Sequence, residues 1–79
     1  MELSDFVKNF VLKEENNDVL VNVARLSTEY LHNYIFDKDY HKTLEKLKAY
    51  LNEREEFKDV DVGQFSLELV KYLYEHRAK

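Results

Sequence analysis

An all-α fold, a small four-helix bundle of up-and-down topology or a close variant, is predicted by three observations. Apolar residues recur at helical spacing along most of the 79 residues, one Gly and no Pro leave little material for sharp turns, and no internal repeat or Gly/Ser/Pro-rich linker divides the chain. A single domain over residues 1–79 follows, with helices at about 4–14, 18–35, 39–54 and 62–77.

The first helix presents Leu3, Phe6, Val7, Phe10 and Val11 at the i, i+3, i+4, i+7, i+8 spacing of one face, with Asp5, Lys8, Asn9 and Lys13 opposite. Ser4 or Glu2 begins it, Ser4 having the better capping oxygen, and "EENN" (Glu14–Asn17) ends it. In the second helix Val19, Leu20, Val23, Ala24, Leu26, Tyr30, Leu31, Tyr34 and Ile35 fill an arc of roughly 180°, which makes it the central element. Asn16 or Asn17 is its expected N-cap, and Asp18 sits favourably in its first turn. Asn22, Arg25, Thr28, Glu29, His32 and Asn33 form the opposite stripe, with Val21 as an apolar intruder.

The third helix has a narrow seam of Tyr40, Leu44, Leu47 and Leu51, spaced four, three and four apart, so it is expected to pack from outside, with Tyr50 beside the seam. After it comes "EREEFKDVDVGQ", where Glu53, Glu55, Glu56, Asp59 and Asp61 and the single Gly63 interrupt the periodicity while Phe57, Val60 and Val62 tuck the joint against the core. Asp61 followed by Gln64 has the form of a capping box that starts the fourth helix. Val62, Phe65, Leu69, Val70, Tyr72 and Leu73 are its expected buried face, and Leu67 with Tyr74 widens the apolar coverage to about 220°.

Composition narrows the function. Absence of Cys removes disulfides, thiolate metal sites and cysteine nucleophiles. Twelve basic against sixteen acidic residues give a formal charge of −4, which opposes binding to a phosphate backbone. A helix-turn-helix reader is disfavoured too, because the third helix mixes Lys42, Lys46 and Lys48 with Glu45 and Glu53. Apolar runs never exceed three residues and the first ten show no secretion signal, so a cytoplasmic protein without a membrane span is expected.

Groups suited to chemistry concentrate in "FDKDYHK" (Phe36–Lys42). Asp37, Asp39 and His41 alternate, and they converge on one ion only if the segment is extended. An EF-hand loop starting at Asp37 is excluded, since its sixth and twelfth positions are Lys42 and Lys48 in place of Gly and Glu. The expected role of the aspartates is to start the third helix, with Phe36 and Tyr40 closing the joint over the core. His41 with Glu45, and His76 with Lys79, are undiagnostic pairs. No glycine-rich phosphate cradle is present, and no cofactor or metal is expected.

In "RLSTEYLH", Arg25 and His32 stand seven residues apart on the polar stripe. This spacing resembles the arginine-to-histidine motif of the small helical ribonucleases of the HEPN superfamily, which implies a nuclease acting through Arg25 and His32 at a dimer interface. In size and helical pattern alone the chain is similar to bacteriocin immunity proteins, which are small cytoplasmic four-helix bundles. The leading expectation is a non-enzymatic protein-interaction module, a small acidic regulator or inhibitor whose partner is another protein or a second copy. Its expected contacts are Leu67, Tyr74 and Tyr50 together with Glu53, Glu55, Glu56, Asp59 and Asp61, the acids imitating phosphates toward a basic surface.

Overall fold

Helices form where the apolar spacing places them, and each ends for a local reason. The computed structural model describes residues 2–76. It contains α1 (Leu3–Leu12), α2 (Asn17–Ile35), α3 (His41–Leu51) and α4 (Val62–His76), with 3₁₀ turns at Glu14–Asn16 and Glu55–Phe57.

Helix α1 starts from an extended Glu2 without a side-chain cap, so Ser4 lies inside the helix and is not its cap. It stops two residues earlier than expected because Lys13 turns extended (φ −76°, ψ 121°). The Asn16 side chain caps nothing at the start of α2. Its Nδ2 donates to the Phe10 carbonyl at 3.0 Å, and the residue is 1% exposed. Helix α3 is shorter at both ends than its periodicity predicts. Asp39 Oδ1 accepts from the His41 backbone N–H at 3.1 Å, so an aspartate does start the helix, but at His41. At the other end Arg54 adopts an extended conformation and the chain turns away.

Helix α2 closes in a Schellman turn. The Lys38 N–H reaches the Asn33 carbonyl at 2.8 Å, the Asp37 N–H reaches the Tyr34 carbonyl at 3.4 Å, and Asp37 takes the left-handed conformation (φ 55°) normally given to Gly. Helix α4 begins with one half of the expected capping box. Asp61 Oδ1 accepts from the Gln64 N–H at 3.2 Å, while Gln64 returns no bond.

Helices α2 and α4 share the most extensive interface, α3 packs on both, and α1 packs on α4. The bundle is therefore the close variant of up-and-down topology. The core contains Val7 and Phe10 of α1, Val23, Leu26 and Tyr30 of α2, Leu47 and Leu51 of α3, Phe57, and Val62, Phe65 and Leu69 of α4. What draws α1 onto α4 is a quartet of phenylalanines. Phe6 and Phe10 each meet both Phe57 and Phe65 edge-on, and Phe57 meets Phe65 likewise, with ring centroids 4.8–5.8 Å apart. Such pairs add about 0.5–1.5 kcal/mol each beyond the area they bury.

Gly63, expected in the joint, lies inside the first turn of α4 without a positive φ. Its role is close approach. A Cβ there would sit 3.0 Å from the Tyr30 hydroxyl, so the missing side chain lets α4 lie against the end of α2. Ser27 of α2 and Ser66 of α4 are fully buried small residues of the same two helices, and neither hydroxyl has a hydrogen-bond partner among the described residues.

Candidate functional site

The acidic joint is organised by the cation in its midst. Arg54 donates from Nε to Glu56 Oε1 at 3.0 Å, and its Nη2 reaches the same oxygen at 3.0 Å and the Asn16 side-chain oxygen. The guanidinium carbon stands 5.7 Å from the centre of the Phe10 ring, a cation–π distance. Of the five acids expected to face a partner, Glu56 is therefore held by Arg54 and Asp61 is spent on the α4 cap. Glu53, Glu55 and Asp59 are exposed and form no ion pair among the described residues.

The aromatic surface differs from expectation at both helices that carry it. Leu67 is half-buried and packed against the core, whereas Tyr74 is 67% exposed. Tyr50 is exposed. Tyr34 and Ile35, placed by periodicity in the buried arc of α2, are exposed, and so is Phe36, which closes nothing over the core. Asn33 is the last α2 residue tied to α3, through a 3.2 Å bond from its Nδ2 to the Thr43 hydroxyl. Beyond it the helix continues for two residues, both of them exposed. Phe36 instead lies against the His32 ring at 4.7 Å, and Tyr34 against Tyr40 at 5.1 Å. Three consecutive large apolar side chains thus project from one end of α2.

The alternating acids of "FDKDYHK" do not converge. Asp37 turns the chain, Asp39 starts α3, and His41 lies on Tyr40 at 4.4 Å. Among the described residues no three His, Asp or Glu side chains are grouped as metal ligands. Arg25 and His32 are both exposed on α2, separated by about 10 Å of helix rise. Arg25 reaches Asn22 Oδ1 at 3.5 Å, and His32 is occupied by Phe36. His76 Nδ1 lies 2.8 Å from the Tyr72 carbonyl and its ring stacks on Tyr72, while Lys79 lies outside the described residues.

No protein-family model, curated protein or solved structure matches the chain. Its own surface therefore carries the functional reading.

Two of the hollows in that surface are mostly apolar. One, of about 330 Å³, is bounded by α1, the Glu14–Asn16 turn and Glu56, with Phe6 and Phe10 as its apolar floor. The other, of about 260 Å³, lies between α2 and α4 and is lined by Thr28, Val70, Leu73 and Tyr74. At the α2–α3 joint the buried Tyr30 contacts Tyr34 and Tyr40. Burial raises the Tyr30 phenol above the ordinary tyrosine value, and Tyr40, the Asp61 carboxylate and Tyr34 add to the rise.

Sequence reasoning missed Tyr34, Ile35 and Phe36 as exposed residues. No clear signal marked them: they fill the last turn of α2 and the turn that follows it, and helical spacing does not show where the neighbouring elements stop.

Proposed function

We propose that this chain is a non-enzymatic protein-interaction module, an acidic regulator or inhibitor that docks on a partner protein bearing a basic, partly apolar surface. The observation that carries the reading is the exposed apolar surface. Seven large hydrophobic side chains are between 41% and 72% exposed, and Tyr34, Ile35 and Phe36 among them are consecutive. Aromatic groups of this kind contribute most of the affinity when an interface excludes water from them. Charge supports the same partner. Glu53, Glu55 and Asp59, without an ion pair among the described residues, add an acidic stretch to a chain of net charge −4, which steers a basic partner and speeds its encounter.

The test is affinity capture from the source cell with three baits: the natural chain, Ile35→Ser/Phe36→Ser, and Glu53→Gln/Glu55→Gln/Asp59→Asn. A partner held by the first and lost by the second is expected, with retention by the natural chain falling as salt rises and retention by the third weaker and less dependent on salt. A partner held equally by all three defeats the reading. Sedimentation of the pure chain separates the self-associating form. A dimer that Tyr74→Ser or Ile35→Ser dissociates makes the partner a second copy.

A further inference from the structure

We propose that the hollow between α1 and the Arg54–Phe57 turn is a binding site for a small apolar carboxylate, an aromatic or branched aliphatic acid of about ten heavy atoms. This goes beyond partner docking and shares with it only Leu12, one of the seven exposed hydrophobic residues. The hollow has about 330 Å³ of space, within the range of small-molecule sites. Its floor is apolar. Phe6 and Phe10 line it, and each is fixed from behind by Phe57 and Phe65, so the two rings present a surface that does not collapse into the space. Leu12, 62% exposed, forms an apolar edge that a ligand would cover.

The walls are held in place as well. Asn16, buried to 1% exposure, donates to the Phe10 carbonyl and accepts from Arg54, which in turn grips Glu56. Each of these bonds ties one wall of the hollow to another, so little ordering remains to be done on binding.

Charge selects the ligand class. Two ionised side chains line the hollow, Lys13 and Glu56. Both nitrogens of Arg54 that face Glu56 lie 3.0 Å from its Oε1, so that carboxylate is compensated. Lys13 is not. Glu14 and Glu15 follow it in sequence, yet the ion pairs among the described residues are Lys48–Glu45 and Arg54–Glu56 alone. An unpaired ammonium at the mouth of an apolar hollow is complementary to a ligand with an apolar body and one carboxylate. Such a ligand would lay its body on Phe6 and Phe10 and its carboxylate on Lys13 Nζ.

The experiment titrates the full chain, isotope-labelled, with 3-phenylpropionate and separately with 3-phenyl-1-propanol, and follows backbone amide shifts. The expected result is saturable shifts confined to residues 6–16 and 54–57, at about millimolar affinity for a ligand of this size. The acid should bind about 2- to 5-fold more tightly than the alcohol. Lys13→Gln, an exposed change that keeps the fold, should erase that difference and leave the alcohol unaffected. Absence of saturation, equal affinity for acid and alcohol in the natural chain, or shifts centred on Thr28 and Tyr74 would overturn the proposal.

Discussion

The Arg54 guanidinium donates to the side-chain oxygen of Asn16, bonding two connections whose residues stand 38 apart in the chain. Neither residue belongs to a long helix, yet together they fix where α1 ends and where the acidic joint begins. Asn16 carries the bond on to the Phe10 carbonyl, one of the acceptors that the end of α1 leaves without an intrahelical donor.

Removing either partner should therefore cost more than a surface change. Arg54→Ala and Asn16→Ala are each expected to lower stability by about 2–3 kcal/mol, since a charged hydrogen bond is lost and a buried polar group is left unpaired. The double variant should cost about 1–2 kcal/mol less than the sum. Urea denaturation of the four proteins measures this, and strict additivity would show that the two residues act independently.

Ser27 and Ser66 offer the opposite sign. Both hydroxyls are fully buried without a partner, and an unmet hydroxyl costs about 1–3 kcal/mol. Ser27→Ala and Ser66→Ala should each stabilise the protein by about 1 kcal/mol, raising the urea midpoint without changing the slope. A fall in the midpoint would mean that the hydroxyls find partners in solution.

Asp37 holds a left-handed conformation at the close of α2. Asp37→Gly should be stabilising by about 0.5–1 kcal/mol because Gly adopts that conformation without the Cβ penalty. Asp37→Val should be destabilising by about 1–2 kcal/mol, as branching at Cβ worsens the same clash. Thermal melts of the two variants would run in opposite directions from the natural chain; a shared direction contradicts the assignment.

Alkaline stability should depend on Tyr30. Its folded-state pKa is raised, so the neutral phenol is what the fold prefers. The contribution is complete below the unfolded value of about 10 and is lost as pH rises through the higher folded value. Stability of the natural chain should then fall more steeply than that of Tyr30→Phe as pH passes about 10. Parallel curves for the two proteins would remove Tyr30 from the account.

Periodicity is strong evidence for what a helix buries and weak evidence for what another element leaves uncovered. Val7, Phe10, Val23, Leu47 and Leu69 are all buried as their spacing demands, Phe57 is buried from the joint as expected, and Val21 is exposed as its place in the polar stripe demands. Tyr34 and Ile35 satisfy the same rule and are exposed, because they fill the last turn of α2, past Tyr30 where α4 lies close and past Asn33 where α3 is tied. Leu67, outside the expected seam of α4, is half-buried and packed against the core. Legible too was that Asp39 and Asp61 start helices. What single-residue reasoning could not show was the competition for Asn16, an expected cap whose side chain is taken by Phe10 and Arg54 from outside its helix. The hollow floored by Phe6 and Phe10 was illegible for the same reason. Its walls come from segments far apart in sequence, brought together by Arg54.

The phenylalanine quartet also sets an order of events. Two of its rings come from the first ten residues and two from beyond residue 56, so the contacts that seat α1 close a loop of more than 40 residues. An isolated helix of ten residues is marginal in water, and long-range closure is slow. As the chain leaves the ribosome, α1 has no aromatic surface to rest on until Phe57 and Phe65 have been made. The protein is thus completed from its last third backwards, and a chain cut before Phe57 should emerge with its first helix unseated.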